Sequence, residues 1–189
     1  MQHPNLITER LELRLVRPED AAFILQGLSD RHVTEYYAVH YDTPEAVQEQ
    51  MKFSDDLVQN GTGAWWAFSL KGEGELMGAC GLSSLEEEHQ KAEIGFWLLP
   101  EHWGKGYTPE AAQAVLDYAF SQMRLNCIEA IVEGGNGASE KVLQKLGFTC
   151  EGRLREREMK NGRFIDLIYY SILKRDRQEK AEIQARLSR

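Results

Sequence analysis

In the stretch "PEHWGKGYTPEAA", Gly104 and Gly106 flank Lys105 immediately ahead of a helix pattern. Thr108 is placed to cap that helix and Pro109 to take its first position. The residues upstream then stand at the positive end of the helix dipole, where backbone N–H groups lack intrahelical partners. Two glycines and one cation in that place are the ingredients of an anion site. The pattern is not a nucleotide-binding P-loop, because Gly106 follows Lys105 where Ser or Thr is required. No third glycine completes a dinucleotide fingerprint either. Taken alone, the loop reads as a phosphate cradle or as an ordinary turn.

These residues need a scaffold to hold them. "LITERLELRLVR" places Leu11, Leu13 and Leu15 on one side of a first strand, with charges on the other. "RPEDAAFILQGLSD" starts a helix at Pro18, and Thr43, Pro44 and Asn60-Gly61 bracket a second. "AWWAFSLKG" and "ELMGACGLSSL" form a hairpin about Gly72 and Gly74, and "KAEIGFWLL" adds a strand that stops at Pro100. Beyond the loop, Ala112, Val115, Leu116, Ala119, Phe120 and Met123 share one helical face. "NCIEAIVE" is a β-branched strand, and "ASEKVLQKLG" is a short helix closed by Gly147. Asn161-Gly162 fits a type I′ turn joining "FTCEGRLREREM" to "RFIDLIYYSIL". The order defines one mixed α/β (α+β) domain over residues 1–175, followed by a charged helical tail at 176–189.

The run "AEIGFWLLPEHWGKGYTPEA", followed by "NGASEKVLQKLGFTCEGRLRE", resembles the GNAT superfamily of acetyl-CoA-dependent N-acetyltransferases. The opening "TERLELR" and the closing "RFIDLIYYSIL" resemble its ribosomal-protein N-terminal acetyltransferase (RimJ/RimL-type) branch. The resemblance runs from Leu6 to Leu173. It implies a mixed central sheet of about seven strands flanked by helices, with acetyl-CoA bound where the fourth strand passes into the third helix. At the anchor positions of the family's pyrophosphate loop this chain has Trp103, Gly106 and Thr108. Gly106 fits the pattern; Trp103 replaces a polar residue, and Thr108 replaces Gly or Ala. The resemblance implies that Trp103, Gly104, Lys105, Gly106, Tyr107 and Thr108 hold the pyrophosphate of coenzyme A. It further implies that the strand end Trp97, Leu98, Leu99 pairs with the pantetheine arm, that Asn136 and Ser139 lie near the thiol, and that Lys145 reaches the phosphates.

Acyl transfer to an amine needs a neutral amine, a polarised carbonyl and a protonated leaving thiolate. Glu93 is the candidate base: apolar Ala92 and Ile94 flank it, and partial desolvation would raise its pKa toward the working range. The alternative is a solvent-facing residue of an alternating strand. A backbone N–H between Trp97 and Leu99 would stabilise the oxyanion if the strand splays from its neighbour there. Ser139 reads as a helix cap, as a proton donor to the thiolate, or as both. Asn136 reads as turn chemistry or as a cofactor contact, and Lys145 as a phosphate ligand or a solvated lysine. Tyr36, Tyr37, Tyr41, Trp65 and Trp66 divide between core and a cleft wall able to hold an amine by cation–π contact.

With 189 residues, 42 % of them hydrophobic, the chain can build one full core. A net charge of −8 argues against nucleic acid as the main partner. No apolar run suits a membrane span or signal peptide, so a cytoplasmic protein is expected. The three cysteines, Cys80, Cys127 and Cys150, are far apart in strand-like runs and read as buried reduced thiols. His102 reads as the outer surface of the loop, His32, His40 and His89 lack metal-ligand spacing, and no metal is expected. The expectation is therefore direct acetyl transfer from acetyl-CoA to an amine, first a protein N-terminal α-amine and second a small-molecule amine. A non-catalytic acyl-CoA-binding module is a third reading, and the chain is compatible with a homodimer.

Overall fold

The computed structural model describes residues 3–37 and 39–178. Eight strands form one sheet in the order β1-β2-β3-β4-β5-β6-β8-β7. They are β1 (Leu6–Ile7), β2 (Leu11–Leu15), β3 (Ala64–Leu70), β4 (Leu76–Glu86), β5 (Lys91–Leu98), β6 (Cys127–Glu133), β7 (Thr149–Lys160) and β8 (Arg163–Leu173). The helices are α1 (Ala21–Ser29), α2 (Arg31–Thr34), α3 (Pro44–Asn60), α4 (Tyr107–Ser121) and α5 (Gly137–Leu146). Every neighbouring pair is antiparallel except β5 with β6.

The expected first strand divides in two. Thr8 closes a turn by accepting from the Leu11 N–H at 2.9 Å through its hydroxyl, so Leu6 pairs back onto Leu13. With α2 also present, the loop of interest joins the fifth strand to the fourth helix rather than the fourth to the third. Asp30 caps α2 through the His32 N–H at 2.7 Å, a start signal too short to read as periodicity.

Strand alternation divides the core between the two faces. On one face Leu11, Leu13, Trp66, Ile94 and Leu98 meet the buried side of α4 and Leu143 and Leu146 of α5. On the other, Trp65, Ala79 and Trp97 meet Ile24 and Leu28 of α1 and Val47 and Leu57 of α3. Trp65 lies flat across the sheet: a Cβ on Gly81 would stand 2.5 Å from its Cγ, and one on Gly95 2.9 Å from its Cη2. The Asn161-Gly162 turn has positive φ at both residues (50° and 75°), as type I′ requires.

Two expectations change. The reading of every cysteine as a buried thiol fails at Cys150, which is exposed because β7 is an edge strand open to solvent along nearly its whole length. Cys80 is buried and Cys127 half-buried. The sheet has eight strands, not seven. Of the tail expected at 176–189, residues 176–178 are described and end a helical stretch that begins at 174, and 179–189 lie outside the described residues. Among the described residues no helix is long and apolar enough to cross a membrane.

Candidate active site

The loop between β5 and α4 is built on left-handed backbone. Gly104 and Gly106 have φ of 76° and 81°, which an L side chain adopts only at a cost. Gly106 itself caps α4, so Tyr107 is the first helical residue, Thr108 the second and Pro109 the third. The expected cap at Thr108 is thus displaced by two residues, because the left-handed glycine starts the helix earlier than the Thr-Pro signal. Pro109 carries no N–H, which leaves Tyr107 and Thr108 to present the free amides of the first turn. The rings of Tyr107 and His102 meet at a tilt of 57°, with centroids 6.4 Å apart.

The strand feeding this loop opens away from its neighbour. β5 and β6 pair over only three rungs, Lys91, Ala92 and Glu93 against Cys127, Ile128 and Glu129. Beyond Glu93 the two strands part, while β5 stays paired to β4 as far as Leu98 opposite Gly78. The Leu99 N–H donates to the Met77 carbonyl at 2.9 Å. Alternation along a ladder turns the N–H of Trp97 to that same side and those of Phe96 and Leu98 into the gap. Of Trp97, Leu98 and Leu99, therefore, Leu98 alone has its amide on the open side, and Phe96 joins it. The Leu98 carbonyl accepts from the indole N–H of Trp103 at 2.7 Å, which ties the loop to the strand end.

The second helix start faces the first across the gap. Asn136, not Ser139, caps α5: its side-chain oxygen accepts from the Ser139 N–H at 3.1 Å. Ser139 is the third helical residue, so its hydroxyl is not engaged in capping. The helix is seated from below by Tyr170 of β8, whose hydroxyl donates to Glu140 at 2.6 Å.

Glu93 is the last residue of β5 paired to β6 and stands at the vertex where the two strands part, directly beside Glu129. Burial pushes its carboxyl above the ordinary carboxylate range, and the Glu129 charge adds to that. Lys91 draws Glu129 aside, with Nζ 3.3 Å from Glu129 Oε2 and 3.2 Å from Glu86 Oε1. The Tyr37 hydroxyl lies over Gly95, 4.0 Å from where a Cβ would stand. Burial, and less strongly Cys80 and Glu93, raise its pKa far enough that it stays a neutral hydroxyl.

A cavity of about 900 Å³ joins these parts. Trp97, Leu98, Trp103, Gly104, Gly106, Tyr107, Thr108, Asn136, Ser139 and Lys145 all line it. Lys105, Leu99 and Glu93 do not. No local signal marked Phe96, Gly135, Lys141 or His32, whereas Tyr36 and Tyr37 stand on the cleft wall, one of the two places expected for them. Trp66 is pure core, and Trp65 and Tyr41 belong to the second apolar cluster. Among the described residues no group of three or more metal-binding side chains forms.

A long cleft between two parted strands, with helix starts facing it from both sides, is the architecture of an acyl-CoA-dependent transferase. Residues 10–149 match the acetyltransferase (GNAT) domain, and the chain belongs to that family. It is 39 % identical over 173 residues to the N-acetyltransferase p20 of Bacillus licheniformis, itself uncharacterised, covering 91 % of this chain and 97 % of that one. A crystal structure of spermidine N-acetyltransferase from Vibrio cholerae with CoA and spermine superposes with a TM-score of 0.78 at 25 % identity, covering 88 % of this chain and 96 % of that chain. The ribosomal-protein-S5-alanine acetyltransferase from Vibrio fischeri shares the fold, with a TM-score of 0.79 at 24 % identity and coverage of 90 % and 97 %. The protein is thus an acyltransferase of the GNAT N-acetyltransferase type, with acetyl-CoA as its co-substrate.

Proposed function

We propose that this chain acetylates a primary amine by direct transfer in a ternary complex, with a protein N-terminal α-amine as its first acceptor. One observation carries the reading: the open amides of Phe96 and Leu98, the α4 loop and the start of α5 converge on one cleft whose vertex holds Glu93. The left-handed glycines and the free Tyr107 and Thr108 amides suit a pyrophosphate, and Lys145 adds a cation on the same cleft. Acetyl-CoA supplies the acetyl thioester. Glu93 takes the proton of the attacking amine, directly or through water, as the C–N bond forms. The amides of Phe96 and Leu98 donate to the carbonyl oxygen as it gains charge. Ser139 gives its hydroxyl proton to the sulfur as the C–S bond breaks and regains one from solvent, into which Glu93 releases the amine proton, and Asn136 holds the turn that aims Ser139.

An α-amine suits this base. Its pKa is near 8, against about 10 for an alkylamine, so a carboxylate has less far to pull the proton. One observation favours a second reading, a small cationic amine. Glu35 lines the cleft beside Tyr36 and Tyr37, and spermidine N-acetyltransferase is among the relatives. The test is one panel of N-terminal peptides and polyamines incubated with acetyl-CoA, read as released thiol and as acetylated product by mass spectrometry. Turnover of peptides alone supports the first reading and turnover of polyamines alone the second. Turnover of neither, with CoA still bound, would remove both acceptor classes.

A further inference from the structure

The opening motif "TERLELR" has no part in the transfer chemistry, yet its arginine reaches the cofactor loop. Arg10 lies in the turn between β1 and β2, far in sequence from Lys105 and Gly106. Its Nη1 donates to the Lys105 carbonyl at 3.1 Å. Its Nε and Nη2 both meet Glu110 Oε2, at 2.7 and 2.6 Å, and its backbone N–H donates to Glu110 Oε1 at 2.9 Å. The Thr8 hydroxyl donates to that same oxygen. The guanidinium also lies over the Tyr107 ring, 4.7 Å from its centroid. Arg10 is thus fixed on one side by the first turn of α4 and holds the loop with the other.

We propose that Arg10 is a positioning residue for the cofactor loop: by holding the Lys105 carbonyl outward it aims the Gly106 N–H at the anion. The reason is the peptide plane. In a trans peptide the carbonyl and the following N–H point in opposite directions, and the chain has no cis bond among the described residues. Fixing the Lys105 oxygen on Arg10 turns the Gly106 N–H away from Arg10, to the side where Gly104, Gly106 and Thr108 line the cleft and Lys105 does not. Gly106 gives the loop no side-chain bulk to resist rotation, so an external hold is needed where φ is 81°. Lysine cannot substitute, because it lacks a planar fork to reach Lys105 and Glu110 together and a flat face for Tyr107.

The inference rests on the proposed pyrophosphate role of the loop, and its test is read on coenzyme A binding, apart from acetyl transfer. Titration calorimetry with CoA should show Arg10→Gln weakened by roughly five- to tenfold, the scale of one ordinary hydrogen bond, because the guanidinium acts on the loop and not on the anion itself. Arg10→Lys should be weakened almost as much. The KM for acetyl-CoA should rise by the same factor while kcat at saturating donor stays within about twofold, because no reacting atom touches Arg10. Glu110→Gln, which frees the guanidinium without removing it, should shift CoA affinity in the same direction and serves if Arg10→Gln melts near the working temperature. Wild-type affinity in Arg10→Lys would mean that only the positive charge matters and would overturn the proposal, as would unchanged affinity in Arg10→Gln. A wild-type protein that binds CoA but acetylates no amine would sink the proposed function and leave this test intact.

Discussion

Replacing Glu93 by Gln keeps the shape of the side chain and removes its capacity to take a proton. General-base catalysis contributes about 10²- to 10⁴-fold. Glu93 is paired at the strand vertex and is not among the residues that line the cavity, an arrangement that favours transfer through a water and the lower end of that range. Glu93→Gln should therefore lower kcat by about a hundredfold, or ~2.7 kcal/mol of barrier. Coenzyme A affinity should hardly move, because the phosphate end of the cleft is built on α4 and α5. The pH profile carries the second half of the test. An α-amine with a pKa near 8 is only about one-tenth neutral at pH 7 and about nine-tenths at pH 9. The variant should thus regain up to about tenfold over that interval, while the wild type gains less. In the wild type the acid limb of kcat/KM should lie above that of an ordinary carboxylate, since burial and Glu129 both raise Glu93. Glu129→Gln should move that limb downward. The same sign governs stability: a carboxyl raised by folding costs stability once pH exceeds its unfolded value, so Glu93→Gln should not lower the melting temperature at neutral pH. Steady-state rates from pH 5 to 9 and a thermal melt on the same preparations supply the numbers. Wild-type turnover with an unchanged profile in Glu93→Gln would refute the assignment and make Glu93 a strand residue only.

Gly106→Glu should weaken CoA binding by more than tenfold, because it adds a negative charge at the loop and about 1–2 kcal/mol of left-handed strain at φ 81°; unchanged affinity by calorimetry would end the cradle reading. Ser139→Ala should lower kcat far more than it lowers CoA affinity while barely changing the melting temperature, whereas Asn136→Ala should cost about 1 kcal/mol of stability as the true cap of α5. Equal effects of the two substitutions on stability would show that Ser139 serves the helix rather than the thiolate. Arg14→Met should cost about 3 kcal/mol in chemical denaturation, because it strips Asp20, 4 % exposed, of a two-pronged partner at 2.7 Å. Burial alone would raise the Asp20 carboxyl, but Arg14 and the Arg17 N–H override it and hold it below the usual carboxylate range. Stability from this pair is present at neutral pH and is lost as pH falls through the folded value. The acid dependence should flatten in Arg14→Met, and a denaturation series over pH 2–7 decides it.

The linear chain carried whatever depends on neighbours along the backbone. Leu11, Leu13 and Leu15 alternate, the α4 face repeats at helical period, and Asn161-Gly162 closes its turn as its residue types demand. The glycines around Lys105 marked the cofactor loop, and "NGAS" marked the start of α5. Local signals failed where a competing one sat within two or three residues: Gly106 outranked Thr108, and Asn136 outranked Ser139, as the cap. Tertiary structure alone decided what depends on register and on residues far apart in the chain. That β5 and β6 part after Glu93, that Leu99 spends its amide on Met77 while Leu98 does not, and that Glu129 stands beside Glu93 all follow from strand pairing. No periodicity records it, since a one-residue slip would leave the composition unchanged and reverse every side. The hold of Arg10 on Lys105 is of the same kind, a contact across 95 positions made by folding two turns together. The exposure of Cys150 likewise depends on β7 having no neighbour beyond it, which is a property of the sheet and not of the strand.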